Sequence, residues 1–432
     1  MRIQIQNGRI VDPANHIDRQ ADLFIVDGRI AAVDKAPAGF EADGIVDARG
    51  CVVCPGLVDL SARLREPGYE YRATLESEMA AAAAGGVTSL ACPPDTDPPL
   101  DEPGLVEMLK HRARLPEFAH VYPVGALTVK LAGERLTEMA ELAEAGCRAF
   151  GQANTAIVDT QVLLRAMQYA ATFDYPVWLQ AQDPFLAQGG VAHEGEVATR
   201  LGLTGIPVSA ETIALATILQ LARDTGARVH LTRISSAAGL AMIAAARKNG
   251  IAATCDVAVH HLHLCEHDIG NFNPNARLDP PLRAQADREA LRRGLADGSI
   301  NAVCSDHTPV DDDAKLMPFA EAEVGATGLE LLLPLTLKWA QDMKLPLVAA
   351  LARVTCDPAY RGRHAVGRRT GRHLHLRSAR AHPSDARGYA QPGPEHPVPR
   401  LRIAGPRALH ADRRPPGLLD RLPLKAVSGG RL

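Results

Sequence analysis

The residues most able to do chemistry lie in the stretch Pro55–Gly68, which is predicted to be a buried strand that breaks into a polar loop. Its first half is mainly apolar, and Pro-Gly ends it as a turn. The loop carries Ser61, Arg63 and Arg65. Serine is a poor zinc ligand and a protonated guanidinium is none, so these side chains do not supply a metal site. Ser61 also lacks an obvious histidine–acid pair that would activate it as a nucleophile.

Two other groups of potential ligands have simpler interpretations. The run His260-His261-Leu262-His263 resembles a metal cluster, but it follows a predicted strand over Ala252–His260. Neighbouring side chains of a strand point to opposite faces, so His260 and His261 are not expected to share an ion. Cys51 and Cys54 form a single CxxC motif that alternates with valines, which indicates strand packing. Structural or hydrogen-bonding roles are therefore favoured for both groups.

Alternating strands and helices from Pro55 to about Trp339 must position these residues. Predicted strands include 87–91, 121–127, 148–150, 176–180, 228–234, 252–260 and 300–305. Predicted helices include 76–84, 160–172, 210–225, 237–248 and 288–296. About eight such units predict an α/β fold of the TIM (β/α)8 barrel class, whose chemistry lies at the carboxyl ends of the strands. A doubly wound open sheet is the alternative, disfavoured because no GxGxxG motif opens a βα unit.

The bulk composition is that of a globular protein. The chain has 432 residues, 46% of them apolar and 22% charged, with a formal net charge of −3. Short alternating segments in residues 1–54 predict a small β-sandwich module before the barrel. No apolar run suits a membrane span or a signal peptide, so we expect a cytoplasmic protein with no membrane partner. The eight scattered cysteines predict free thiols.

Several ordered motifs closely resemble dihydroorotases, the metal-dependent cyclic amidohydrolases of pyrimidine synthesis. The resemblance covers roughly residues 1–359, which places the barrel at 55–359. The matching segments are Leu64–Gly68, Ala81–Thr88, Gly125–Thr128, Asp279–Arg283, Ser305–Pro309 and Gly325–Glu330. In that family a binuclear zinc site is formed by four histidines, a bridging carboxylate or modified lysine, and a final aspartate.

The resemblance implies that the metal ligands are missing from this chain. Non-ligating residues stand at the matching positions, which are Ser61, Arg63, Gln152, Ala153, Gln180 and Arg233. Of the core set only Asp306 is retained, and it would act as a general base only on a metal-activated water. We therefore predict no catalytic residue, no zinc and a vestigial Asp306. His230 and His307 match family positions outside the core ligand set.

The substrate side of the site is altered as well. The resemblance assigns Arg65 to a substrate carboxylate, whereas Asp95 stands where the family has a substrate-contacting asparagine. Asp95 is expected to bring negative charge towards an anionic substrate, so both are predicted to be vestigial binding residues. Because buried carboxylates need partners, we also predict that Arg63 or Arg233 forms a salt bridge with Asp306.

A barrel that keeps its frame without its ligands resembles the inactive dihydroorotase-like chains that accompany aspartate carbamoyltransferase in some bacteria. The resemblance implies a non-catalytic subunit that assembles with the catalytic chain, as a heterododecamer, and supports its activity. Two alternatives remain open. One is an active zinc-dependent dihydroorotase or cyclic amidohydrolase with a non-standard site. The other is a small-molecule-binding regulator in which Arg65 still holds a carboxylate.

The last segment, residues 360–432, departs from this pattern. From residue 361 it has fifteen arginines, one lysine and four acidic residues, with no Phe, Trp or Met. Such a composition buries little apolar surface and predicts disorder. The arginines are not interspersed with aromatic residues or lysines, so nucleic acid is not the expected partner. Arg, Pro, Ala and Gly enrichment is also what a shifted reading frame in a GC-rich gene produces, and we predict disorder or a frameshift here.

Overall fold

A five-stranded sheet forms the amino-terminal part of the computed structural model, which describes residues 1–114 and 118–361. Its strands are β1 (Arg2–Asp12), β2 (Ile17–Val26), β3 (Arg29–Val33), β4 (Gly44–Asp47) and β5 (Val52–Val53). The order is β3-β2-β1-β4, and β5 also pairs with β1. The pairs β1–β2 and β2–β3 are antiparallel, whereas β4 and β5 run parallel to β1. Alternating aliphatic side chains such as Ile5, Leu23 and Val53 form its core.

Eight parallel strands form the barrel and confirm the predicted fold class. They are β6 (Leu57–Asp59), β7 (Val87–Cys92), β8 (His120–Ala126), β9 (Ala149–Gly151), β10 (Val177–Gln180), β13 (Val229–Thr232), β14 (Ala253–Ala258) and β15 (Ala302–Cys304). They neighbour one another in chain order from β6 to β15. The short pair β11 (Ala192–His193) and β12 (Gly205–Ile206) lies outside this sheet. Small and aromatic side chains, including Ala91, Ala149 and Trp178, fill the barrel interior.

Most of the helices pack apolar side chains on the barrel. They are α1 (Leu75–Ala84), α2 (Pro103–Arg114), α3 (Met139–Ala145), α4 (Thr160–Thr172), α5 (Pro184–Ala187), α6 (Glu196–Leu201), α7 (Val208–Thr225), α8 (Ala237–Lys248), α9 (Gln285–Asp297), α10 (Leu332–Asp342), α11 (Leu347–Val354) and α12 (Cys356–Arg361). In the part of the chain that the structure describes, no helix has the length and apolarity needed to span a lipid bilayer. The predictions for the segment 360–432 lie outside the described residues, apart from the backbone of α12.

The barrel closes at a seam between the segments that follow β6 and β15. An isolated parallel bridge joins Ala62 to His307. The backbone N–H of Arg63 donates to the carbonyl of His307 at 2.9 Å, and the N–H of His307 donates to the carbonyl of Ser61 at 3.1 Å. The buried carboxylate of Asp59 adds a bond from the backbone N–H of Ser305 at 2.9 Å. The first and last strands thus meet at the edge where barrel chemistry is expected.

A buried carboxylate holds the loop that leads from β13 into α8. Both oxygens of Glu211, which is 3% exposed, accept hydrogen bonds from the loop. The backbone N–H groups of Ser235 and Ser236 lie 2.9 and 3.1 Å away, and both hydroxyls lie at 2.5 Å. Ser236 also caps α8 by accepting from the N–H of Gly239 at 2.9 Å. This arrangement fixes the end of β13, which carries Arg233.

Candidate functional site

The carboxyl ends of five barrel strands bring polar side chains to one place. The polar residues at or beyond the ends of β6, β7, β10, β13 and β15 are Arg63, Asp95, Gln180, Arg233 and Asp306. Direct contacts join all five into one network, in which Arg63, Arg233 and Asp306 are buried. The barrel therefore collects these sequence-predicted positions as its class requires.

Arg233 pairs with Asp306 at the centre of this network. Its Nη1 lies 3.0 Å from Oδ1 of Asp306, and the side chains are only 4% and 6% exposed. Nη1 also donates to the carbonyl of Asp279 at 3.4 Å, and Nη2 donates to Oε1 of Gln180 at 2.7 Å. The predicted salt bridge to Asp306 is confirmed by this geometry.

Arg63 approaches the same carboxylate from the other side of the seam. Its Nη1 lies 3.6 Å from Oδ1 of Asp306 and donates to Oγ1 of Thr308 at 2.9 Å. Its Nε lies 2.7 Å from Oδ2 of Asp95. We expected Asp95 to turn negative charge towards a substrate. Asp95 lines the cavity at the barrel mouth, where Arg63 pairs with its carboxylate.

Asn154 connects the two arginines, and the sequence analysis did not single it out. Its Oδ1 accepts from Nη2 of Arg63 at 2.7 Å and from Nη2 of Arg233 at 2.6 Å. Its Nδ2 donates to Oδ2 of Asp279 at 2.8 Å. The available signal was an amide two residues beyond Gln152, after a barrel strand. Only the three-dimensional geometry shows that Asn154, and not Gln152, reaches the arginines.

The remaining predicted positions do not join the network through their side chains. Gln152 turns away and donates from Nε2 to Oγ1 of Thr128 at 2.6 Å. Ser61 is buried, and its backbone takes part in the barrel seam. Ala153 has a positive φ of 50° and no polar side chain. Arg65 donates from Nε to the carbonyl of Pro309 at 2.8 Å, and its guanidinium lines a cavity at the barrel mouth.

Unusual backbone conformations occur at several of these strand ends. Arg65, Arg233 and Asp306 have φ values of 61°, 55° and 49°, in the left-handed region that L-residues rarely adopt. Such conformations cost free energy and persist where the surroundings fix them. At Arg233 the N–H donates to Oδ1 of Asp256 at 2.6 Å, which holds this backbone turn. The strained backbone at these residues thus sets the directions in which their side chains point at the barrel mouth.

The pKa values of Arg233 and Asp95 reflect two opposing effects, burial and the charges of nearby partners. Burial is the largest single effect on Arg233 and opposes its charged form, but Asp306 and Asp279 outweigh it and raise its pKa. For Asp95, burial again acts first and favours the neutral acid, but the charge and hydrogen bond of Arg63 hold its pKa below the ordinary value. Both groups are therefore charged at neutral pH, which makes the network ionic.

The retained histidines have partners in the surrounding framework. Nε2 of His230 lies 2.8 Å from Oδ2 of Asp256, and Nε2 of His307 contacts Glu78. Nδ1 of His307 accepts from the N–H of Gly328 at 3.1 Å, which makes Nε2 the protonated nitrogen. His230 thus links β13 to β14, and His307 links the segment after β15 to α1 and to Gly328.

The histidine run after β14 corrects one step of the sequence analysis. The strand ends at Ala258, and Val259–Leu262 forms a 3-10 turn in which the rings of His260 and His261 lie 4.7 Å apart. The argument from strand alternation was therefore wrong. Burial lowers the pKa of each to about 3, and His261 donates from Nε2 to the carbonyl of Pro281 at 3.2 Å. Within residues 1–114 and 118–361, no group of three or more His, Cys, Asp or Glu side chains could hold a metal ion.

Comparison with known proteins gives consistent matches over most of the chain. A family model described as dihydro-orotase-like matches residues 50–238. A dihydroorotase-like protein of Pseudomonas aeruginosa is 47% identical over 368 residues, covering 85% of this chain and 87% of that protein. A dihydroorotase of Syntrophotalea carbinolica is 41% identical, covering 83% and 84%. An L-hydantoinase from Arthrobacter aurescens superposes with a TM-score of 0.79 at 22% identity, covering 94% and 93%. That last likeness supports the barrel fold alone.

Proposed function

Because this chain belongs to the dihydroorotase-like family, we propose that it is a non-catalytic member of that family, a barrel without the hydrolytic metal centre. The observation that carries the proposal is the guanidinium network around Asp306. Two buried cations, Arg63 and Arg233, lie within 4.0 Å of the one retained ligand position. A metal ion bound to this carboxylate would be a third positive centre and would be repelled strongly by both arginines.

The donor set does not fit zinc, which proteins hold with His, Cys and carboxylate groups. The positions that resemble family ligands supply guanidinium, hydroxyl, amide and methyl groups from Ser61, Arg63, Gln152, Ala153, Gln180 and Arg233. Metal-assisted hydrolysis requires a metal-activated water and a polarised carbonyl, and this donor set provides for neither. Asp306 has Arg233 at 3.0 Å, which makes its carboxylate an ion-pair acceptor.

The partner follows from the resemblance to inactive dihydroorotase-like chains. We propose that this chain assembles with the catalytic chain of aspartate carbamoyltransferase, as a heterododecamer, and supports the activity of that enzyme. The ion pairs of Asp306 with Arg63 and Arg233 hold the strand ends together without a metal, which suits a subunit retained for its shape.

The main test is biochemical and has three readouts. Purified full-length chain is analysed for bound zinc, assayed with dihydroorotate and N-carbamoyl-aspartate, and co-purified with the aspartate carbamoyltransferase catalytic chain of its own organism. We expect sub-stoichiometric zinc, no turnover above background, and a stable complex whose transcarbamoylase activity exceeds that of the catalytic chain alone. The dihydroorotase of Syntrophotalea carbinolica, prepared and assayed in parallel, is the matched positive control.

The competing function is an active dihydroorotase, favoured by the 41% identity to a relative of that name. Stoichiometric zinc together with turnover of dihydroorotate would establish it and reject the pseudoenzyme. Absence of turnover with no complex would leave the pseudoenzyme standing and reject only the partner. The two parts of the proposal therefore fail separately.

A further inference from the structure

A charged cavity of about 410 Å³ opens at the barrel mouth beside the guanidinium network. Its volume lies in the range of small-molecule sites. Five arginines and three aspartates line it, so its wall carries two more positive than negative charges. The question is which of these charges are neutralised within the protein.

Three of the five arginines have carboxylate partners. Arg63 and Arg233 share Asp306, as described above. Nη2 of Arg72 lies 2.8 Å from Oε1 of Glu323 at the rim. These three guanidinium groups are held in place by the protein itself.

Arg65 and Arg277 are different. In the part of the chain that the structure describes, neither has a carboxylate oxygen within 4.0 Å of its guanidinium, and each donates to a backbone carbonyl. Arg65 donates to Pro309 at 2.8 Å, and Arg277 donates from Nη1 to Val191 at 3.0 Å. Nε of Arg277 is buried with no hydrogen-bond partner among the described residues. Each guanidinium thus lines the cavity without a carboxylate in salt-bridge contact among the described residues.

The environment makes this charge costly for the protein alone. Burial lowers the pKa of Arg65 to about 10, and the charge of Arg63 adds to this effect. Burial also lowers the pKa of Arg277, and Asp279 opposes this only in part. A buried cation without a counter-charge is unfavourable, whereas a planar guanidinium fork binds a carboxylate or phosphate strongly.

Arg277 is also held firmly by its surroundings. Nζ of Lys315 donates to three backbone carbonyls, those of Pro274 at 3.1 Å, Arg277 at 3.4 Å and Glu323 at 2.7 Å. The N–H of Gly325 donates to the same Arg277 carbonyl at 3.1 Å. These bonds fix the backbone of Arg277, and the bond from its Nη1 to the carbonyl of Val191 orients the guanidinium before an anion binds.

We propose that this cavity binds a small organic dianion, with one anionic group on Arg65 and the other on Arg277. The family resemblance assigns a carboxylate to Arg65, but nothing assigns Arg277, and the second anchor changes the kind of ligand that fits. The ligand carries two carboxylates, or a phosphate with a second anionic oxygen, and is held without metal. Binding is non-covalent and does not depend on assembly with aspartate carbamoyltransferase. The cavity would thus bind a small metabolite without transforming it.

Isothermal titration calorimetry of the full-length chain tests this directly. The probes are succinate, inorganic phosphate, acetate as a single carboxylate, and succinamide as the neutral analogue of succinate. We expect succinate or phosphate to bind at least tenfold more tightly than acetate, and succinamide to give no heat. Binding of succinate alone identifies a dicarboxylate site, and binding of phosphate alone identifies a phosphate site. No binding of either at millimolar concentration overturns the proposal, as does equal binding of succinamide.

Variants then locate the second anchor. Arg277→Gln should weaken the bound dianion at least tenfold, and Arg277→Lys should weaken it less, because lysine keeps the charge but loses the fork. The matched control is Arg200→Gln, at an exposed arginine of α6, which should bind as the wild type does. Unchanged affinity in Arg277→Gln rejects the anchor. If that variant fails to fold, the lysine variant and the succinate–succinamide comparison on the wild type still decide the question.

Discussion

Replacing Asp306 by asparagine tests whether its carboxylate is a structural counter-ion. The substitution keeps the shape of the side chain and removes the negative charge that faces Arg233 at 3.0 Å and Arg63 at 3.6 Å. Both arginines are at most 5% exposed, so water cannot readily solvate the charge that is left. We expect Asp306→Asn to fold and to be markedly less stable.

The magnitude follows from the contacts that survive. Removing one partner of a buried ion pair typically costs about 3–5 kcal/mol. Arg63 keeps Asp95 at 2.7 Å, and Arg233 keeps the neutral oxygens of Gln180 and Asn154. These contacts place the loss at the lower end, at about 3 kcal/mol. For a folded region of about 360 residues that lowers Tm by about 4 °C.

Urea unfolding followed by circular dichroism measures the change in the free energy of unfolding. The matched control is Asp224→Asn, at a side chain that is 51% exposed, and it should stay within about 0.5 kcal/mol of the wild type. The double variant Asp306→Leu with Arg233→Met should lose less than the two single variants together, because an apolar pair can replace a buried ion pair. A stability of Asp306→Asn within about 0.5 kcal/mol of the wild type would refute the counter-ion argument.

Three further predictions concern metal, acid and the loop before α8. Extended treatment with a metal chelator should move Tm by less than about 1 °C, because no bound metal is expected to stabilise the folded state; a clear drop that zinc reverses would contradict this. Acid should destabilise the chain, since the folded pKa values of His260 and His261 are lowered to about 3 while the unfolded chain binds protons from about pH 6.5 downwards. Each histidine contributes stability above pH 6.5 that is lost as pH falls towards 3, and about 2 kcal/mol per histidine is lost by pH 5. Urea unfolding at pH 7 and pH 5 should therefore show a smaller loss of unfolding free energy in His261→Gln than in the wild type. Equal losses in the two proteins would show that His261 is not involved. Glu211→Ala should cost about 3 kcal/mol or more in urea unfolding, because four buried donors of the two serines before α8 lose their charged acceptor. The exposed Glu144→Ala is its control, and equal stability of the two variants would contradict the role of Glu211.

The sequence was sufficient for the barrel because strands and helices alternate strongly. The helices Thr160–Thr172 and Ala237–Lys248 have the predicted bounds, since capping residues and amphipathic faces define them locally. The strand after Ile251 was predicted to end at His260, two residues beyond its observed end at Ala258. Val259–Leu262 carries no glycine or proline to signal its 3-10 turn, so the apolar pattern continued through it.

The candidate site was predictable in its charges and less so in its contacts. The family resemblance placed Arg233 and Asp306 after two barrel strands, and strand ends converge, so their pairing could be predicted from position and charge. The roles of Asn154 and Arg277 could not be inferred in this way. An amide and an arginine in loops have no distinctive spacing, and only the folded geometry shows which acceptors they reach or lack.

The seam of the barrel has a consequence for the order in which the chain can fold. It joins Asp59 and Ser61 to Ser305 across sequence separations of 246 and 244 residues, and Arg63 and Asp306 lie beside it. Contacts between such distant segments carry a high loop-closure entropy, so they form after the local βα units have assembled. Interactions made after the transition state slow unfolding without speeding folding. The ion pair between Arg63 and Asp306 is therefore expected to form late in folding and to slow the unfolding of the closed barrel.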